Sequence, residues 1–135
     1  MLDKEKLDMA QRWLDKAGTY FNDVFLLLHI NSFMSAATCA YYTMLYSAKA
    51  VLTIDGELPA RHGEIVAAFR KRYERSDVFE KRYTELLENA YEVRRNVDEK
   101  DYFEVSKGEA IMQITNAETF YRKMKDYIAA AKNRH

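Results

Sequence analysis

A chain of 135 residues is long enough for one domain that buries about two-thirds of the surface its unfolded form exposes, so neither a disulfide nor a metal is needed to hold it. Lys plus Arg and Asp plus Glu each number 21, which leaves no net field to draw the protein to nucleic acid or membrane; any such binding has to come from a local patch. With 48% hydrophobic residues, four glycines and one proline, the composition argues against long disordered segments. The single cysteine, Cys39, has no partner for an intramolecular bridge and fits a reducing compartment. Met1 to Lys6 is charged and lacks the apolar stretch of a signal peptide, and no run of about 18 apolar residues occurs, so a cytoplasmic protein with no membrane partner is expected.

The apolar residues recur at helical spacing along nearly the whole length, which predicts an all-α, up-and-down bundle of about five helices in a single domain over residues 1–135. Leu7, Ala10, Leu14, Ala17, Phe21, Val24 and Leu28 alternate steps of three and four and predict a first helix from Asp3 to His29. Asn31 and Ser32 are candidate caps for a second helix with an inward stripe of Phe33, Ala37, Ala40, Met44, Ser47 and Val51, closed by Asp55-Gly56 with Pro59 beyond. A shorter third helix carries Ile65, Val66, Phe69 and Tyr73 and stops before Ser76-Asp77, where Asp77 and Glu80 have the spacing of a capping box for the fourth. Phe79, Tyr83, Leu86, Ala90, Val93 and Val97 form the stripe of that fourth helix, and a charged stretch follows from Asp98 to Glu104. Ser106 and Glu109 make a second capping box, and Ala110, Ile114, Ala117, Tyr121, Met124, Ile128 and Ala131 carry the last helix. Helices of about 25 residues are about 37 Å long, so an elongated molecule is expected. Tyr20, Tyr41, Tyr42, Tyr46 and Tyr91 stand beside the inward stripes, where aromatics often cover a partner subunit.

The chemistry legible in this pattern is limited. His29, His62 and His135 have no ligand at the spacing of a metal helix, no Glu-x-x-His pair is present and no glycine-rich phosphate loop occurs, so no metal and no cofactor is expected. Cys39, next to Ala40 and near Met44, reads as a core thiol and not a nucleophile. Arg94 falls on a semi-buried flank of the fourth helix, whereas Arg95 falls over Glu92 and can form a solvated pair. An arginine so held can grip a phosphate bidentately; alternatively it pairs with Asp98 or Asp101 and pins the loop. His62, ahead of Gly63, either caps the third helix or contacts a nucleotide. The basic group Arg70, Lys71, Arg72 and Arg75 is interleaved with Glu74, Asp77 and Glu80 and reads as a solvated face.

The run Ala36-Ala37-Thr38-Cys39-Ala40-Tyr41-Tyr42-Thr43-Met44, then His62-Gly63 leading to Phe69, then Val93-Arg94 followed by Asp101-Tyr102, then Ser106 to Ala110, resembles HEPN-domain proteins, most of all the small single-domain branch. The resemblance covers nearly the whole chain, in order. It implies a homodimeric helical bundle in which the arginine motifs of two subunits meet in a shared cleft, here lined by Arg94, Asp101 and Tyr102 and binding RNA or a nucleotide. It further implies a component of a toxin–antitoxin or defence system, with endoribonuclease activity left open, because catalytic relatives carry a histidine soon after the arginine and here none follows before His135. Asp101 or Tyr102 stands in its place, an acid mostly ionised and a phenol mostly protonated at neutral pH. The alternative implied is a non-catalytic module paired with a small nucleotidyltransferase, for which Tyr102 would accept a nucleotide.

Overall fold

The computed structural model describes residues 3–134; Met1, Leu2 and His135 lie outside the described residues. These residues form five helices and no strand, the all-α bundle expected. Helix α1 (Lys4–His29) starts where the Asp3 carboxylate accepts a hydrogen bond from the Lys6 amide at 2.8 Å. It buries Leu7, Ala10, Leu14, Ala17 and Val24, with Phe21 and Leu28 half-buried at the edge of the same seam. Its end is a Schellman motif: Asn31 sits at φ +62°, its amide donates to the Leu28 carbonyl at 3.1 Å, and the Ser32 amide donates to the Leu27 carbonyl at 2.8 Å. Asn31 thus terminates α1 instead of capping the next helix, and Ser32 occupies the N-cap position without a side-chain bond.

Helix α2 (Phe33–Ile54) is the centre of the bundle. Fourteen of its 22 residues are buried, so the single inward stripe read from the sequence is too narrow. The alanines Ala36, Ala37, Ala40, Ala48 and Ala50 let neighbours approach on several sides at little cost in side-chain entropy. Its buried serine and threonine hydroxyls are satisfied within the helix: Thr43 donates to the Cys39 carbonyl at 2.8 Å and Ser47 to the Thr43 carbonyl at 2.7 Å. Helix α1 packs along one side of α2, α5 (Lys107–Arg134) along another, and α3 (His62–Tyr73) and α4 (Lys81–Glu99) against the remainder. Beyond its first turn only one strip of α2 stays half-exposed, running through Thr38, Cys39, Tyr42, Tyr46 and Lys49.

The entry to α4 departs from expectation. Glu80 is the N-cap without a side-chain bond, and the Asp77–Glu80 capping box does not form. The Ser76 hydroxyl instead accepts from the Val78 amide at 3.3 Å. Burial decides this: Phe79, ahead of the helix, is driven into a cluster where it stacks on Phe69 and meets Tyr73 edge-on, and the helix starts only once that ring is seated. The buried face of α4 is Tyr83, Thr84, Leu87 and Ala90, with Leu86, Val93 and Val97 half-buried. At α5 the Ser106 hydroxyl accepts from the Glu109 amide at 3.1 Å, one of the two bonds of the expected capping box; among the described residues the Glu109 side chain makes no return bond. No helix among the described residues is long and apolar enough to cross a membrane.

Candidate nucleotide-binding groove

The half-exposed strip of α2 is the floor of a groove. One wall comes from α1, through Trp13, Lys16 and Tyr20, and the other from the start of α3 and the last turns of α4, through His62 and Arg94. Tyr42 joins the two sides. Its ring stacks on Tyr20 at 5.0 Å, receives the His62 ring edge-on at 5.7 Å, and lies under the Arg94 guanidinium at 5.8 Å. The hollow between Tyr20, Met34, Thr38, Cys39, Tyr42 and Arg94 has a volume of about 370 Å³.

Arg94 is held from two directions. One Nη donates to the Thr38 hydroxyl at 3.0 Å, and that hydroxyl spends its own proton on the Met34 carbonyl at 2.9 Å, so its oxygen is free to accept. The other Nη pairs with Asp98 at 3.2 Å, with the arginine side chain 25% and the carboxylate 53% exposed. A pair this open to water is weak, of the order of 1 kcal/mol or less, and a better anion can replace it. Arg95 points elsewhere and pairs with Glu92 and Glu99 on the surface of its own helix, as its position in the sequence suggests.

His62 shares the groove with Arg94 although the two are far apart in sequence. Burial depresses its pKa below the usual imidazole value, and the charges of Arg94, Lys49 and Lys16 depress it further, so the ring is neutral at pH 7. Lys49 is likewise depressed, by burial and then by Lys16. Lys16 lies over Tyr46 at 4.5 Å, Lys49 over Trp13 at 3.8 Å and Arg94 over Tyr42, so three cationic side chains border the same strip. Cys39 also lines the hollow, with its thiol pushed up by burial and by Asp23, and is therefore protonated.

The other residues singled out from the sequence lie apart. Asp101 and Tyr102 form the exposed turn after α4, Tyr102 being 95% exposed, and among the described residues neither makes a hydrogen bond or ion pair with Arg94. The tyrosines read as a spare aromatic flank face one another instead: Tyr41 is buried, and Tyr20, Tyr42 and Tyr46 stack together in the groove. Thr38, Trp13, Lys16 and Lys49 carried no role in the sequence reading, yet they share faces at helical spacing with Tyr20 on α1 and with Tyr42 and Tyr46 on α2. A larger hollow of about 440 Å³ opens between Phe21 and Tyr121, but its arginine, Arg122, is paired along its own helix with Glu118 at 2.8 Å.

With five helices in this arrangement, comparison with known proteins gives one consistent answer. The HEPN domain family matches residues 10–127. The chain belongs to the HEPN family. It is similar to a protein of Methanocaldococcus jannaschii named as a candidate toxin, 26% identical over 125 residues, covering 92% of this chain and 80% of the relative. It is also similar to the UPF0332 protein of Thermotoga maritima, 26% identical over 120 residues and covering 89% of each. Within this HEPN bundle the groove joins four of the five helices, all except α5.

Proposed function

We propose that this HEPN protein is the RNA- or nucleotide-binding, toxin-like component of a toxin–antitoxin or defence system, acting as a homodimer, with Arg94 as its phosphate anchor. Family membership and the relative named as a candidate toxin support the toxin-like part. The observation that carries the binding part is the state of Arg94: fixed by Thr38, half-covered, beside a tyrosine face, and tied to a carboxylate that an incoming phosphate can displace. Burial and then the charges of Arg94, Lys49 and Lys16 keep the His62 imidazole neutral at pH 7 and so able to accept a proton, and any strand cleavage is assigned to it before Asp101 or Tyr102. Arg94→Ala should weaken binding of a short RNA by about 1.5 to 3 kcal/mol, at least tenfold, while Arg95→Ala changes it by less than about twofold. A titration showing equal losses in the two variants would remove Arg94 as the anchor.

A second reading, in which the chain is the substrate of a small nucleotidyltransferase, is favoured by Tyr102, whose exposure at the turn leaves its phenol open to another protein. The phenol oxygen would attack the α-phosphorus of ATP, forming a tyrosyl phosphodiester and releasing pyrophosphate, with the phenolic proton going to a base of the partner enzyme. Intact-mass measurement after incubation with such an enzyme and ATP should show one added nucleotide, absent in Tyr102→Phe. A gain that persists in that variant assigns another residue.

A further inference from the structure

We infer that the binding groove continues beyond Arg94 as a track for single-stranded RNA, running along α2 past Tyr42 and Tyr46 to Trp13, with Lys16 and Lys49 meeting the backbone phosphates. The inference rests on the reading of Arg94 as a phosphate anchor and names the form of its ligand. Three independent features of the groove carry it.

The first is continuity. The half-exposed strip of α2 from Thr38 to Lys49 is unbroken on a helix otherwise buried from Ala36 to Ile54, and at 1.5 Å per residue it spans about 16 Å, enough for several nucleotides of an extended strand.

The second is ring geometry. Trp13 and Tyr46 are parallel within 4° at 5.7 Å, Tyr20 and Tyr46 within 11° at 5.9 Å, and Tyr42 and Tyr46 within 20° at 6.1 Å. A row of similarly oriented rings accepts unpaired bases whatever their identity, because every base has a π-face; bases stacked inside a duplex cannot reach it.

The third is unspent charge. Arg70, Arg72, Arg94, Arg95 and Arg122 all have acidic partners within 4.0 Å. Lys16 and Lys49 have none among the described residues; Lys16 lies over Trp13 and Tyr46 and Lys49 over Trp13, and both raise the potential felt by His62. In the competing basic group of the sequence, Arg70 and Arg72 are neutralised by Glu74, Glu88, Asp55 and Glu57, while Lys71 and Arg75, among the described residues, lie over no aromatic ring. Cations left over aromatic faces and away from carboxylates are placed to receive phosphates between stacked bases.

Trp13 is the chain's one tryptophan, so its fluorescence reports the far end of the track without labelling. Titration with an oligouridylate of about ten nucleotides, within the site sizes of such tracks, should quench it. Uridine monophosphate, and the same oligouridylate annealed to oligoadenylate, should not. The double variant Lys16→Ala/Lys49→Ala should bind the oligonucleotide at least tenfold more weakly and show a salt dependence shallower by about 1.4 in log–log slope, two phosphate contacts at about 0.7 each. Tyr46→Leu, which keeps apolar volume but removes a stacking ring, should weaken binding as well, and circular dichroism checks that each variant is folded. If the oligonucleotide binds in an Arg94-dependent way while Trp13 emission is unchanged and the lysine and Tyr46 variants bind as wild type, the track is overturned and the anchor stands. Equal binding of the duplex also overturns it, and failure to bind any RNA overturns both.

Discussion

At Asp55 and at Tyr41 two polar groups have been taken largely out of water with opposite results. The Asp55 side chain, 18% exposed, accepts from the Tyr73 hydroxyl and from the Tyr127 hydroxyl at 2.8 Å, and Arg72 stands 3.6 Å away. Burial, then the bond to Asp55, raises the Tyr73 phenol above its ordinary value and pushes that of Tyr127 up to about 12, so both remain donors far above neutral pH. Tyr41 is buried beside His62 and Tyr91, and its hydroxyl has no partner among the described residues. Tyr73→Phe should therefore cost about 1.5 to 3 kcal/mol, the range for a hydrogen bond to a charged group, whereas Tyr41→Phe should be neutral or stabilise by up to about 1 kcal/mol. Urea unfolding of the two variants tests the contrast. Similar losses in both would show that the Tyr41 hydroxyl has a partner after all.

Backbone conformation matters most where an element ends. Helix α2 closes with the same device as α1: Gly56 sits at φ +88°, its amide donates to the Thr53 carbonyl at 3.1 Å, and the Glu57 amide donates to the Leu52 carbonyl at 2.9 Å. A side chain in that left-handed conformation meets its own carbonyl, so Gly56→Ala should cost about 1 to 2 kcal/mol, a drop of roughly 4 °C or more in Tm. Gly18, inside α1, presents the opposite case. A Cβ there would stand 2.8 Å from the Tyr121 hydroxyl, so the ring end must shift, but alanine recovers about 1 kcal/mol of helix propensity. Gly18→Ala should therefore lie within about 0.5 kcal/mol of wild type. Thermal melts that rank the two the other way would mean that the close approach of α1 and α5 outweighs the turn.

Across the whole molecule, six of the ten exposed large apolar side chains among the described residues gather at one end. Phe25, Leu26, Ile30 and Met34, 41–64% exposed, surround the α1–α2 turn. Helix α5 runs antiparallel to α1, since Lys132 meets Gln11 and Tyr121 meets Phe21, so the exposed Ile111 and Met112 at its start belong to the same end. Met34 also lines the Arg94 hollow, which makes this end continuous with the groove. The proposed homodimer is therefore placed here, and not on the tyrosine flanks, which face the groove. Light scattering after gel filtration should give a dimer at roughly tens of micromolar, and Leu26→Glu/Ile30→Glu should give a folded monomer. A wild-type monomer at that concentration would remove the shared cleft. The accessible surface, 7959 Å² against about 7400 Å² for a globular chain of this size, fits the elongated form that long helices impose.

The spacing of apolar residues was sufficient by itself to fix the helical class, the number of helices and most of their limits, because each helix must turn a continuous stripe inward, and stripes such as Leu7 to Val24 and Ala110 to Ala131 are written in the sequence. The separation of Arg94 from Arg95 was legible for the same reason. Periodicity describes one helix at a time, however, and does not say how many neighbours a helix has. Tertiary packing made α2 central and buried Tyr41, seated Phe79 before α4 could begin, and turned the tyrosines of α1 and α2 toward each other. It also set His62, Lys16 and Lys49 in one field with Arg94 while leaving Asp101 and Tyr102 at an exposed turn. Electrostatic and stacking interactions act over a few ångströms of space, and only the folded chain decides which residues come that close.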